Sequence, residues 1–317
     1  MGNSSAVLAD TASPSIAPTT FINSRALSEH LGLPVTLATE TFQHTGSFKF
    51  RAAYNLVSKV AQKKLLAASS GNFGQALAYA CKLLHKQCIV VMPATSASVK
   101  IAAVRGHGAT VDLVDTRKTS RVQRVAELAA DHPDAYIASP FDDDFVIQGN
   151  ATLGRELANA GHSWNAIVAP VGGGGLISGI AQGLRAAGDK TTLIGAEPAL
   201  ANDAARSLRA GKIIPNEFEA PTIADGARTI SLGTRNWEII RREVSDIIEV
   251  SEANIGRALR LLFRFVNLKV EPTGALSLGA ILEQRDRFGE APVCCVVSGG
   301  NVDPEVYARL LMEKETP

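Results

Sequence analysis

The chain has 317 residues, 46% hydrophobic and 20% charged, an ordinary globular make-up with room for one large core or two modest ones. A net charge of +1 gives no electrostatic grip on nucleic acid or anionic lipid. No apolar run is long enough to cross a bilayer, and the short ones are broken by glycine or charge.

The first twenty residues are rich in Ser, Thr, Ala and Pro and lack the basic start and apolar centre of a secretory signal, so they read as a flexible or strapped-down leader. Residues 40–51, ETFQHTGSFKFR, set Lys49 between Phe48 and Phe50. Two flanking rings can desolvate the amine, lower its pKa and make it a nucleophile for an aldehyde. The plainer reading is a surface stem covering apolar area. Next comes SSGNFGQALAYA (residues 69–80), where Ser69 and Ser70 are placed to cap a helix beginning after Gly71. Residues 88–92 (CIVVM) form a continuous apolar run, as in a strand covered on both faces. A helical stretch over 98–106 separates it from a second strand over 110–114.

Residues 166–171 (AIVAPV) predict a strand that runs into Gly172, Gly173, Gly174 and Gly175 and then a helix over 176–187. Strands follow at 192–196 (TLIGA) and 292–297 (PVCCVV), and a short charged helix is expected after the turn at 298–301. Strand and helix alternating in this way predict an α/β protein with parallel sheets. Two sets of such units are visible, one from about 64 to 142 and one from about 143 onward. No further C-terminal module is expected. Cys81, Cys88, Cys294 and Cys295 have no metal-ligand spacing and sit in apolar surroundings, so buried thiols and a cytoplasmic location are expected.

The four glycines carry the first functional signal. Glycine admits positive φ and close approach of a ligand, and the helix start behind it offers free N–H groups and partial positive charge to a phosphate. A tight turn without a ligand is the alternative, but four glycines at one strand-to-helix junction favour phosphate. Glu197 lies at a spacing compatible with a dinucleotide fold. The glycines, however, do not follow G-x-G-x-x-G, and they fall mid-chain.

The lysine segment resembles the cofactor-lysine motif of the fold-type II enzymes that use pyridoxal 5′-phosphate (PLP), the tryptophan synthase β-like family, within its serine/threonine dehydratase and serine racemase branch. Residues 69–80, 171–181 (VGGGGLISGIA), 271–282 (EPTGALSLGAIL) and 296–303 (VVSGGNVD) resemble further family motifs, in the same order. The resemblance implies two α/β domains with the PLP site in the cleft between them. The large domain would take residues 1–54 with 143–317 and the smaller substrate-side domain 55–142. It implies Lys49 as Schiff-base lysine and base, with Phe48 beside the ring and Asn72 on its phenolic oxygen. Backbone amides of Gly172 to Gly175 and Leu176 would hold the phosphate, and Ser298 would face the ring nitrogen. Ser70 would stand on the opposite ring face, where a proton donor permits racemisation. Ser69, Ser70, Gly71, Asn72 and Phe73 would form the loop that receives the substrate carboxylate. A homodimer is also implied.

Residues 197–203 resemble the divalent-cation site of the racemase branch. Glu197, Asp203 and the carbonyl of Ala201 would offer hard oxygens to Mg²⁺ or Ca²⁺, unless the two acids simply cap a helix or face solvent. Three features depart from the family pattern: Phe73 where histidine is usual, Ala52 where glycine is common, and residues 147–152 (IQGNAT). They border the pocket and point to a substrate bulkier or more acidic than serine. Arg51, Arg155 and Arg228 are candidates for a second carboxylate, with structural roles expected for each. The leading expectation is β-elimination of a 3-hydroxy amino acid such as L-serine, L-threonine or 3-hydroxyaspartate, giving a keto acid and ammonia. The alternatives are an amino-acid racemase on the same scaffold, a β-replacement synthase, a non-catalytic PLP or amino-acid sensor, and a nicotinamide-dependent oxidoreductase.

Overall fold

The structure is a computed structural model that describes residues 16–69, 71–96 and 98–313. The chain runs β1 (Thr20–Asn23), α1 (Arg25–Leu31), β2 (Val35–Thr39), α2 (Lys49–Lys59), β3 (Lys64–Ala68), α3 (Asn72–Leu83), β4 (Gln87–Pro93) and α4 (Ser98–Gly106). It continues β5 (Thr110–Val114), α5 (Arg121–Asp131), β6 (Tyr136–Ile137), α6 (Asp144–Ala158), β7 (Ala166–Pro170), α7 (Gly175–Ala186), β8 (Thr192–Pro198) and α8 (Asp203–Ala210). Last come α9 (Thr234–Glu243), β9 (Asp246–Val250), α10 (Glu252–Val266), α11 (Pro272–Glu283), α12 (Arg285–Phe288), β10 (Val293–Val297) and α13 (Pro304–Met312).

The strands form two sheets, one in the order β1-β2-β10-β7-β8-β9 and one in the order β5-β4-β3-β6. Every residue of β2, β7 and β10 is buried, as continuous apolar runs in a sheet covered on both faces require. One face of the larger sheet packs under α1, α10, α11 and α13 and the other under α6, α7 and α9. Apolar side chains of α2 and α3, with Phe73, Leu77 and Leu56, build the core of the smaller sheet. This is an α/β molecule with two parallel-sheet domains, as the alternation of elements predicts. One pairing departs from the prediction: β1 runs antiparallel to β2, with Thr20 opposite Thr39. The connection through the seven-residue α1 is shorter than the dozen or more residues of an ordinary parallel crossover.

Several of the expected segments shift by a residue or two. The glycine-rich helix begins at Gly175 rather than 176, β8 extends to Pro198, and β7 stops at Pro170. The leader expectation lies outside the described residues as far as position 15. Beyond it the chain is strapped down, since Ala17 exchanges two hydrogen bonds with the Gln43 side chain, at 3.1 and 2.7 Å. All four cysteines are buried and free. Among the described residues, no helix is long and apolar enough to cross a membrane.

Candidate active site

The carboxyl ends of parallel strands, where a sheet's connections change direction, are the usual place for a ligand. In the larger sheet that point lies between β7 and β10, whose neighbours on the two sides come from different parts of the chain. After β2 the chain loops toward α2, and this loop is stitched to the turn after β10. Phe48 N–H donates to the Ser298 carbonyl (3.0 Å), Gly300 N–H donates to the Gly46 carbonyl (3.0 Å), and Ser47 pairs with Gly299. Lys49, first residue of α2, is thereby fixed at the ends of both strands.

The Lys49 amine donates to the Pro140 carbonyl at 2.7 Å and lies 5.0 Å from the Phe48 ring centre and 5.7 Å from that of Phe73. Burial pushes its pKa down from 10.5 to about 8, and the charge of Glu271 keeps it from falling further. At pH 7.5 roughly a quarter of such an amine is neutral, against about a thousandth for an ordinary lysine. The surroundings of Lys49 thus favour the neutral amine more than those of an exposed lysine do. The surface-stem reading does not hold.

Between β7 and α7 the four glycines form a tight cradle. Gly174 has φ +91°, open to glycine but strained for other residues. A Cβ on Gly173 would stand 2.4 Å from atoms of the Phe141 ring. Pro140, which accepts from Lys49, is chain neighbour to Phe141, which packs on Gly173. Amine and cradle are therefore bridged by two consecutive residues. The start of α7 leaves its first N–H groups without intrahelical partners, which suits an anion.

Asn72, at the start of α3 in the smaller domain, reaches across to the larger one. Its Nδ2 donates to both Glu271 oxygens (2.8 and 3.0 Å), and its Oδ1 accepts from Asn301 Nδ2 (2.8 Å). Burial, with the charge of Asp225, pushes the Glu271 carboxyl up to about 8, while the Asn72 hydrogen bond and the charges of Lys100 and Lys49 hold it back. The sequence marks Glu271 only as the first residue of a motif. An acid directly before a proline that opens an apolar helix was the available signal. Ser298 Oγ is buried and has no hydrogen-bond partner among the described residues. An orphaned buried hydroxyl there would suit a hydrogen-bonding atom of a bound group.

Of the loop residues, Phe73 is buried and lines the lysine, while Gly71 is exposed with open space around it. Ser69 accepts the Gly74 N–H on Oγ at 3.0 Å, so the capping reading describes what its side chain does. Ser70 lies outside the described residues.

Glu197 and Asp203 stand apart from Lys49, at the end of β8 and the start of α8, with buried Ala201 in the turn between them. Glu197 accepts the N–H groups of Ala204 (3.2 Å) and Ala205 (2.6 Å), so it is helix-bound and takes no part at the glycine cradle, as a dinucleotide fold would need. Burial pushes its pKa well up and that of Asp203 to about 7. Asp203 Oδ1 accepts from Asn216, but Oδ2 is buried without a partner. The three arginine candidates are accounted for as structural or exposed. Arg51 is fully buried in an ion cluster, Arg228 donates twice to the Thr222 carbonyl, and Arg155 faces solvent on α6.

Residues 12–299 match the family of pyridoxal-phosphate dependent enzymes, and the chain belongs to that family. Among its relatives, it is 39% identical over 297 residues to an L-threo-3-hydroxyaspartate ammonia-lyase of Pseudomonas sp., covering 92% of each chain. It is 36% identical over 313 residues to the serine racemase of Homo sapiens, covering 96% of this chain and 92% of that one. The crystal structure of a T.th. threonine deaminase superimposes with a TM-score of 0.86 at 41% identity, covering 92% of this chain and 94% of that one.

Proposed function

We propose that the chain is a PLP-dependent ammonia-lyase acting on a 3-hydroxy amino acid, with 3-hydroxyaspartate, L-serine and L-threonine as the candidate class. It removes the α-proton, expels the β-hydroxyl as water and releases an enamine, whose imine tautomer is hydrolysed by water to a keto acid and ammonia. One observation carries this reading: a desolvated lysine amine held on Pro140, one residue from the ring that packs on the glycine cradle. When bound, the cofactor supplies an electron sink for the charge left at the α-carbon.

The residues present fit that group. Lys49 would hold it through the ε-amine and would serve as the base for the substrate's α-proton. Backbone N–H groups of Gly172 to Gly175 and Leu176 would hold its phosphate, and Phe48 and Asn72 would flank its ring. Ser298 would offer the ring nitrogen a neutral hydroxyl rather than a carboxylate, a partner that suits prompt loss of the β-hydroxyl. The loop from Ser69 to Phe73, at the start of α3, receives the substrate carboxylate.

The same reading assigns Glu197, Asp203 and the Ala201 carbonyl to Mg²⁺ or Ca²⁺. Its support is the orphaned Asp203 oxygen beside a second buried carboxylate, which hard divalent cations suit. The reading also divides the chain into a large domain, expected over residues 1–54 with 143–317, and a small one over 55–142, a division supported by β3 to β6 sharing one sheet. The four buried free thiols suit a cytoplasmic enzyme, and a homodimer follows the family resemblance.

A second reading, racemisation, is favoured by the match to human serine racemase. It assigns the second-face proton to Ser70. A panel of L- and D-3-hydroxy amino acids, assayed for keto acid, ammonia and enantiomer, tests both. Absorbance near the visible edge that borohydride removes is expected of the purified protein. A colourless protein that gains nothing from added PLP would sink the assignment. For the second reading, Ser70→Ala should depress racemisation much more than elimination, and equal losses would remove the assigned donor.

A further inference from the structure

We propose that Asn150 and Asn236 are the positioning residues of the glycine cradle, holding its carbonyls outward so that its N–H groups converge on the cofactor phosphate. This rests on the reading that the cradle takes that phosphate. Asn236, on α9, donates from Nδ2 to the Gly173 carbonyl at 2.8 Å, and Asn150, on α6, donates to the Gly175 carbonyl at 2.9 Å. The Gly174 carbonyl between them accepts the Ser178 N–H within the helix, and Gly233 N–H adds a second bond to Gly173.

The consequence follows from peptide geometry. No cis peptide occurs among the described residues, and in a trans peptide the carbonyl of one residue points opposite to the N–H of the next. Three carbonyls fixed outward at 173, 174 and 175 therefore turn the N–H groups of Gly174, Gly175 and Leu176 inward. The middle bond is supplied by the helix itself. The outer two come from asparagines on separate helices.

The side chains are used as donors only. Both are buried, and the Oδ1 of each has no partner among the described residues. An unpaired buried amide oxygen is destabilising, and an apolar residue of similar size would avoid it, so what singles out asparagine is its NH₂. The orientation of Asn236 is forced as well. Its Nδ2 also donates to the Phe141 carbonyl at 3.0 Å, and a flipped amide would set oxygen against two carbonyls. Through Phe141 it ties the cradle to the segment that receives Lys49. Asn150 has room to approach because position 179 is glycine, where a Cβ would stand 2.3 Å from the Asn150 Cβ. The IQGNAT stretch, noted in the sequence only as a departure, thus contributes a support of the cradle.

The test is reconstitution of the cofactor-free enzyme and its Asn150→Leu and Asn236→Leu variants with PLP and with pyridoxal, which lacks the phosphate. Each variant should bind PLP about ten- to hundredfold more weakly and pyridoxal within about twofold of the parent. The ³¹P resonance of bound PLP should be independent of pH in the parent and titrate in the variants. Equal weakening for both ligands, or no weakening, overturns the inference while leaving the function intact. Alanine replacements stand in where leucine prevents folding, judged by the melting temperature of the cofactor-free protein. A parent in which borohydride fixes no PLP to Lys49 would overturn the functional reading, and this inference with it.

Discussion

Two cations stand two residues apart at the start of α2 and are treated in opposite ways. Around Lys49 the chain provides two aromatic rings, one carbonyl and a distant, partly neutralised acid, so burial wins and the ammonium is weakened. Around Arg51 it provides Glu40 at 2.7 Å, Glu156 at 2.7 Å, Thr152 and Thr19 at 2.9 Å each, and the Ala17 carbonyl at 3.1 Å. Burial again opposes the charge, but the hydrogen bonds and charges of Glu40 and Glu156 outweigh it, and the guanidinium is held above its usual range. Burial alone therefore does not decide whether a side chain is reactive. The number of compensating partners does.

The largest effect that can break this contrast is at Lys49. Lys49→Ala should abolish the visible absorbance and lower turnover more than about a thousandfold, whereas substantial residual turnover would place the reactive amine elsewhere. Arg51→Met comes next. It strands Glu40 and Glu156 without a cation and should cost about 3–5 kcal/mol in urea unfolding. A neutral result would mean that the cluster is less dry than its burial implies.

The carboxylates at 197 and 203 are a case of the other sign, in which hydrogen bonds offset burial only in part. Burial raises the Asp203 pKa from 3.8 to about 7, so this carboxyl's contribution to the stability of the cation-free protein is fully present below the unfolded value and is lost as pH rises from there through the folded one. A cation binds the ionised form, so millimolar Mg²⁺ or Ca²⁺ should raise the melting temperature by several degrees at pH 8 and by less at pH 5.5. No shift at either pH removes the site. Smaller again is the titration of Lys49. The cofactor-free enzyme should capture an aldehyde about threefold faster at pH 8.5 than at pH 7.5, because the neutral amine is the reactive form. Smallest is Arg25→Ala, which breaks an exposed pair with Glu29 and should leave the melting temperature unchanged.

Much of this was legible in the sequence because local chemistry dictated it. The apolar runs at 88–92 and 166–170 can be little other than covered strands, and a run of glycines before a helix has few uses. Lys49 was legible through its motif rather than its neighbours, since its desolvation depends on Phe73 and Pro140, 24 and 91 residues further on. The roles of Glu271, Asn150 and Asn236 were not legible for the same reason. Each acts through a partner more than twenty residues distant in sequence, and an isolated Asn or Glu carries no trace of that partner. Arg51 shows the converse. Its sequence context left open a role in substrate binding, and only the folded chain reveals five groups already occupying its donors.

The strap at residues 17–19 has a practical corollary. Thr19 donates its N–H to Glu156 and its hydroxyl to Glu40, and Ala17 meets both Arg51 and Gln43. This stretch lies over the ion cluster like a lid nailed at four corners, and the arginine it covers is two residues from the reactive amine. Protein shortened to start at the first strand would keep every residue of the chemistry and still lose the brace that aims it. A fusion tag belongs upstream of this stretch, never in its place.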